Sequence, residues 1–232
     1  MDDTQGDALQ PILIIVLATA ASVPLGLALR RNLATLSYRN DDEPDLPDPG
    51  PRWWVAWVSV LATGSLATAA ALDHSSLAYL PLVPLATTGP WLAAVDLDVL
   101  RIPNRVLTPT AVATLLAVVL MTAAAQDLRI LVVPVVGGLL AGGVFTVVHF
   151  ATNGGIGFGD VKLAGLIALA IGPLGADAVW AAVLTGSVGT LVWARSTQQT
   201  GPVPCGPGLL AGAYATLASF IGGSAISLIS AR

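Results

Sequence analysis

Two short strings in this chain of 232 residues carry acids where acids are costly. The first, Ala94-Val95-Asp96-Leu97-Asp98-Val99-Leu100-Arg101-Ile102-Pro103-Asn104, closes an apolar run; the second, Gly154-Gly155-Ile156-Gly157-Phe158-Gly159-Asp160-Val161-Lys162, opens another. Ionisable groups at membrane depth are expensive and usually face a cavity or a partner. Two neighbouring carboxylates cannot both ionise easily, so one proton is held between them. The ionised member can then take a proton from water while the other polarises a carbonyl. That chemistry hydrolyses peptides without metal, cofactor or covalent intermediate, and such a pair titrates as a unit. The glycines before Asp160 allow positive φ and close approach of another chain. The plain alternative is a flexible loop followed by a helix whose first turn carries an acid, favoured by the helix dipole.

The elements that position these strings are membrane helices. Hydrophobic residues make up 55% of the chain and charged ones 10%, and the mean hydropathy is +0.79. Soluble domains carry roughly 25% charged residues, so an ordinary globule, a disordered chain and a disulfide scaffold are excluded. With a net charge of −4 there is no basic patch for nucleic acid. The single cysteine, Cys205, forms no internal disulfide and no multi-cysteine zinc site.

Eight apolar runs, at about 8–29, 53–72, 77–95, 106–125, 129–150, 161–175, 177–194 and 207–230, predict an all-α polytopic membrane helix bundle of about eight transmembrane helices. Residues 1–31 read as an N-terminal transmembrane helix and 32–52 as an acidic, Pro-rich cytoplasmic linker, extended and solvated. Residues 53–232 form the main membrane domain. Trp53, Trp54, Trp57, Trp91 and Trp193 sit near span ends, where Trp favours the interface. Threading eight spans with the N-terminus outside places Arg30, Arg31, Arg39, Arg52, Arg101, Arg105, Lys162 and Arg195 inside and leaves only Arg129 and Arg232 outside. The positive-inside rule therefore puts both termini outside and both acidic strings at the cytoplasmic face. Asp73, Asp127 and Asp177 fall in outer loops.

Taken together, the strings resemble the type IV prepilin peptidase (leader peptidase) family of membrane aspartic proteases, in a short form. Asp96, Pro103 and Asn104 are similar to its first motif, and Gly157, Gly159, Asp160 and Lys162 to its G-x-G-D second motif. Val203-Pro204-Cys205-Gly206-Pro207 resembles its F-G-P feature, with Cys where Phe is commoner. The resemblance covers roughly residues 53–230 and implies that Asp96 and Asp160 are the catalytic pair. Asp98 matches the second acid of an Asp-x-Asp form; a solvated or Arg101-paired acid is the favoured reading. Lys162 serves either as a positive charge near the pair or as a cytoplasmic anchor. Asn104 reads as a helix cap, and His149 as a packing residue. Many members carry a zinc-binding insert of paired C-x-x-C motifs after the first span and methylate the new N-terminus. Here that place holds only Asn32–Arg52, without cysteine. The resemblance then implies an aspartic endopeptidase of the cell membrane with no metal or cofactor and no methyl transfer. Its partners would be the bilayer and the leader of a prepilin or pseudopilin. A small transporter and another G-x-G-D protease are the rival readings. The acids at span ends argue against the first, and the missing Tyr-Asp and Pro-Ala-Leu strings against the second.

Overall fold

The computed structural model describes residues 3–40, 43, 46–72, 76–198 and 203–230, so Asp41, Asp42, Asp45 and Asp73 lie outside the described residues. Among the described residues eight α-helices follow one another: α1 (Asp3–Ala34), α2 (Trp53–Leu72), α3 (Val83–Val99), α4 (Asn104–Ala125), α5 (Arg129–Ala151), α6 (Phe158–Ile171), α7 (Ala176–Ser196) and α8 (Gly206–Ser230). A 3-10 segment, Ser76–Leu82, leads into α3, and another, Gly172–Leu174, leads out of α6. No strand occurs among the described residues. Helices satisfy their own backbone groups, which the bilayer core cannot do.

Among the described residues six stretches are long and apolar enough to cross a bilayer: Gln10–Ala34, Trp53–Leu72, Leu77–Val99, Asn104–Ala125, Arg129–Ala151 and Ala176–Ser196. Outward side chains such as Leu120, Leu139, Val147 and Leu184 are more than half exposed. A surface of that kind suits lipid and not water. The molecule is a polytopic membrane helix bundle. α6 is the exception in length, since its 14 residues rise about 21 Å against a hydrocarbon core of ~30 Å.

α6 is short because it is enclosed. It packs against α4, α5, α7 and α8, and Leu163, Ala164, Ile167 and Ala168 are fully buried. The second half of α3 is buried in the same way, from Trp91 to Asp96. Asp96 and Asp160 thus lie on the most enclosed helices, whereas few residues of α1 and α5 are buried. Trp53, Trp54, Trp57 and Trp193 are exposed at helix ends. Trp91 departs from that pattern: it is buried, edge-on to Tyr38 and hydrogen-bonded to Asn32 Oδ1 at 2.9 Å.

Helices in lipid gain little from apolar contact alone and associate through close packing at small residues. Gly138 on α5 and Gly165 on α6 meet so closely that a Cβ on either would lie 3.1–3.2 Å from the other's carbonyl oxygen. On α8, a Cβ at Gly212 would lie 2.3 Å from the Ala182 carbonyl and 2.5 Å from the Gly186 nitrogen of α7.

Gly212→Ala is therefore expected to separate α7 from α8 and to destabilise the protein by about 1–3 kcal/mol, the usual cost of overpacking. Gly143→Ala, where a Cβ meets nothing within 4 Å, should be neutral or slightly stabilising. Thermal unfolding of both variants in detergent, against the parent, checks the difference.

Candidate active site

α3 ends abruptly. Leu100 takes a left-handed conformation (φ 52°), and its N–H returns to the Asp96 carbonyl at 3.0 Å. Asp96 thus lies on the last turn, with its side chain inside the bundle at 2% exposure. Its Oδ2 accepts the Gly206 backbone N–H, at 2.9 Å, from the first residue of α8. A Cβ at position 206 would itself lie 2.9 Å from that oxygen. Only glycine lets the backbone come this close.

Asp160 sits on the first turn of α6, where partial positive charge favours an acid. Gly157 caps this helix with ordinary extended backbone, and the Asp160 N–H reaches its carbonyl at 3.0 Å. Asp160 is 4% exposed, and its Oδ1 has no hydrogen-bond partner. Of the loop glycines only Gly154 takes positive φ, next to Asn153. Gly159 is needed for space: a Cβ there would lie 3.0 Å from the Ile102 Cβ and 3.1 Å from its nitrogen. That contact brings the turn after α3 against the start of α6. His149 braces the loop from outside, its Nδ1 2.6 Å from the Ile156 carbonyl. A carbonyl only accepts, so Nδ1 carries the hydrogen.

The two carboxylates act on each other electrostatically, and both act on Cys205. Burial pushes the Cys205 thiol up to about 12, and the Asp160 and Asp96 charges add to the effect. The thiol is thus a protonated neighbour of the acids at neutral pH. An apolar groove of about 490 Å³ opens between α7 and α8, with Leu97, Pro207 and Trp193 in its lining.

Other sequence expectations are redirected. Asp98 is neither solvated nor paired with Arg101: its side chain is 6% exposed and meets Arg39 and Arg52. Arg101 instead binds Glu43 through two nitrogens, each at 2.9 Å, and holds that carboxyl below the usual range. Asn104 makes no cap; it is the first residue of α4 after Pro103, the N-cap. Asn104 Oδ1 accepts from Lys162 Nζ at 2.9 Å on the exposed rim, where Lys162 also faces the Phe158 ring. The connector is docked at Tyr38 and Arg52, which are buried, while Leu46, Pro47, Asp48 and Gly50 are exposed. Sequence reasoning missed the Gly206 amide, because a backbone donor has no sequence signature. It counted Arg39 and Arg52 only as topology charges.

Two enclosed carboxylates from separate helix ends, one bound to a backbone amide and one with an unpartnered oxygen, can bind a water and pass protons on either side of it. Among the described residues no three His, Cys, Asp or Glu side chains gather as a metal site. No curated protein and no solved structure matches the chain. A family model does, over residues 85–229, which include both acids, the glycine loop and the start of α8. With more than half of its length so matched, the chain belongs to the type IV leader peptidase family.

Proposed function

We propose that the protein is an aspartic endopeptidase that removes the leader of type IV prepilin-like proteins at the cytoplasmic face of the cell membrane. Membership of a peptidase family supports a protease acting on a protein substrate. The observation that carries the finer reading is the enclosed pair Asp96 and Asp160, coupled through their charges, with Asp160 Oδ1 free to accept from water. Asp98, Pro103, Asn104, Gly157, Gly159 and Lys162 support the pair. α6 and α8 complete eight crossings with both termini outside. The first helix and the connector precede a catalytic domain from residue 53 onward.

In this reading the pair holds one proton and a water. The ionised carboxylate removes a proton from the water as its oxygen attacks the scissile carbonyl. The protonated carboxyl gives its proton to the carbonyl oxygen, so a neutral gem-diol forms. Proton transfer to the amide nitrogen then lets the C–N bond break, leaving a carboxyl and an amine, and the pair regains one proton. At 2% and 4% exposure neither acid is open to a peptide, so the substrate strand displaces part of the cover, which includes Gly206 at the start of α8. The apolar segment after the leader lies in the groove between α7 and α8, which begins at Leu97, next to Asp96. A cytoplasmic site fits a basic leader that stays inside while this segment rests in the bilayer.

Asp96→Asn and Asp160→Asn should each lower cleavage of a synthetic prepilin by at least about a hundredfold, as loss of a general acid or base does, with membrane insertion retained. Mass spectrometry of the product checks this, and near-full activity in either variant overturns the assignment.

The connector carries no cysteine, and a structural zinc site of the paired C-x-x-C type needs four. Cleavage is therefore expected to continue in the presence of a chelator. With S-adenosylmethionine added, the new N-terminus should remain unmethylated. A product heavier by one methyl group, or activity lost to the chelator and restored by zinc, would refute these expectations.

A further inference from the structure

Asp96 and Asp98 lie two residues apart, so they leave α3 about 200° apart around the helix axis. Asp96 turns toward α8 and the Gly206 amide. Asp98 turns toward the connector between α1 and α2 and is held there on every side. Arg39 grips it as a fork, Nε to Oδ2 and Nη2 to Oδ1, each at 2.9 Å. Arg52 Nη2 stands 3.2 Å from Oδ2, and the Tyr38 hydroxyl donates to the same oxygen. The Arg39, Arg52 and Asp98 side chains are 8%, 7% and 6% exposed.

The cationic side is itself tied down. Arg39 also donates to the Leu46 and Pro47 carbonyls at 2.9 and 2.8 Å, so its guanidinium is held from that side as well. Arg52 Nη1 donates to the Tyr38 hydroxyl at 2.7 Å, and the Tyr38 ring stands edge-on to Trp91 of α3. From the other direction, Arg101 reaches the Tyr38 carbonyl at 2.7 Å and Arg105 the Ser37 carbonyl at 2.8 Å. The connector is therefore laced to the end of α3 and the start of α4 at four arginines.

We propose that Asp98 is a positioning residue for Asp96, and that its ion-pair clamp with Arg39 and Arg52 fixes the last turn of α3. This rests on the reading of Asp96 as catalytic. Buried ion pairs are often no more stabilising than apolar packing of the same volume, and their best-attested use is to fix register. Here register matters. α3 stops at a left-handed leucine, a conformation disfavoured for a residue with a Cβ. The final turn has no following helical turn to hold it. The Gly206 amide pulls it from one side and the arginines hold it from the other. Without the clamp, the turn bearing Asp96 frays, and the acid drifts from the scissile bond. Displacements of about 1 Å cost up to a hundredfold in rate.

The test uses the full chain in proteoliposomes with a synthetic prepilin. Arg39→Lys keeps the charge and loses the fork; it should lower kcat roughly tenfold, leave KM within about twofold, and leave the thermal midpoint nearly unchanged. Asp98→Asn should lower kcat at least as much. The double variant Asp98→Asn/Arg39→Lys should lose less than the product of the two single losses, because both changes break the Arg39–Asp98 fork. Amide exchange in the last turn of α3 should quicken in Arg39→Lys while α6 stays protected, a readout independent of activity. Should Asp98→Asn fail to insert, Arg39→Lys decides. Full kcat with unchanged exchange in Arg39→Lys overturns the clamp, as does a loss seen only in KM. Asp96→Asn in the same assay separates the two claims: retained activity there overturns the catalytic pair, whatever Asp98 does.

Discussion

Two carboxylates are kept inside an apolar bundle, and much of the architecture follows from the cost of doing so. An acid enclosed at 2–4% exposure needs donors or a shared proton. Side chains supply few donors here. Asp96 takes the amide of Gly206, and Asp160 takes the favourable end of α6. Both solutions use backbone, so the helix ends themselves must be brought to the acids. The ends of α3, α6 and α8 meet for that reason, and one oxygen of Asp160 remains without a partner.

Bringing helix ends together in lipid calls for small residues along the helix flanks. The Gly138–Gly165 approach seats α6 against α5, and the Gly186–Gly212 approach seats α8 against α7. The same logic reaches the site, where Gly159 admits Ile102 and Gly206 admits the Asp96 carboxylate. α6 could be shorter than a bilayer is thick because its neighbours enclose it, so its first turn need not reach the headgroups.

The basic residues serve two physical purposes. In the proposed eight-span threading, their bias toward one side sets the orientation. Four of them also hold the α1–α2 connector to the end of α3 and the start of α4: Arg39 and Arg52 on Asp98, Arg101 on Glu43 and Tyr38, and Arg105 on Ser37. In the proposed clamp, the Arg39 and Arg52 charges of this connector brace the turn behind Asp96.

Read alone, the sequence determined the helix class, the approximate helix limits, the two acidic strings and the family, because long apolar runs and a fixed order of Asp, Gly and Pro are local signals. It located Asp96 and Asp160 and the glycines around them. It could not choose partners for Asp98, Asn104 or Lys162, since hydrogen bonds join residues some sixty positions apart, as Tyr38 does with Asp98 and Lys162 with Asn104. Apolar all-round helices carry no face to read, so the enclosure of α6 and of the end of α3 was invisible until their neighbours were in place. The Gly206 amide was hidden for a simpler reason: every residue but proline carries an amide, and only the fold decides which one meets a carboxylate.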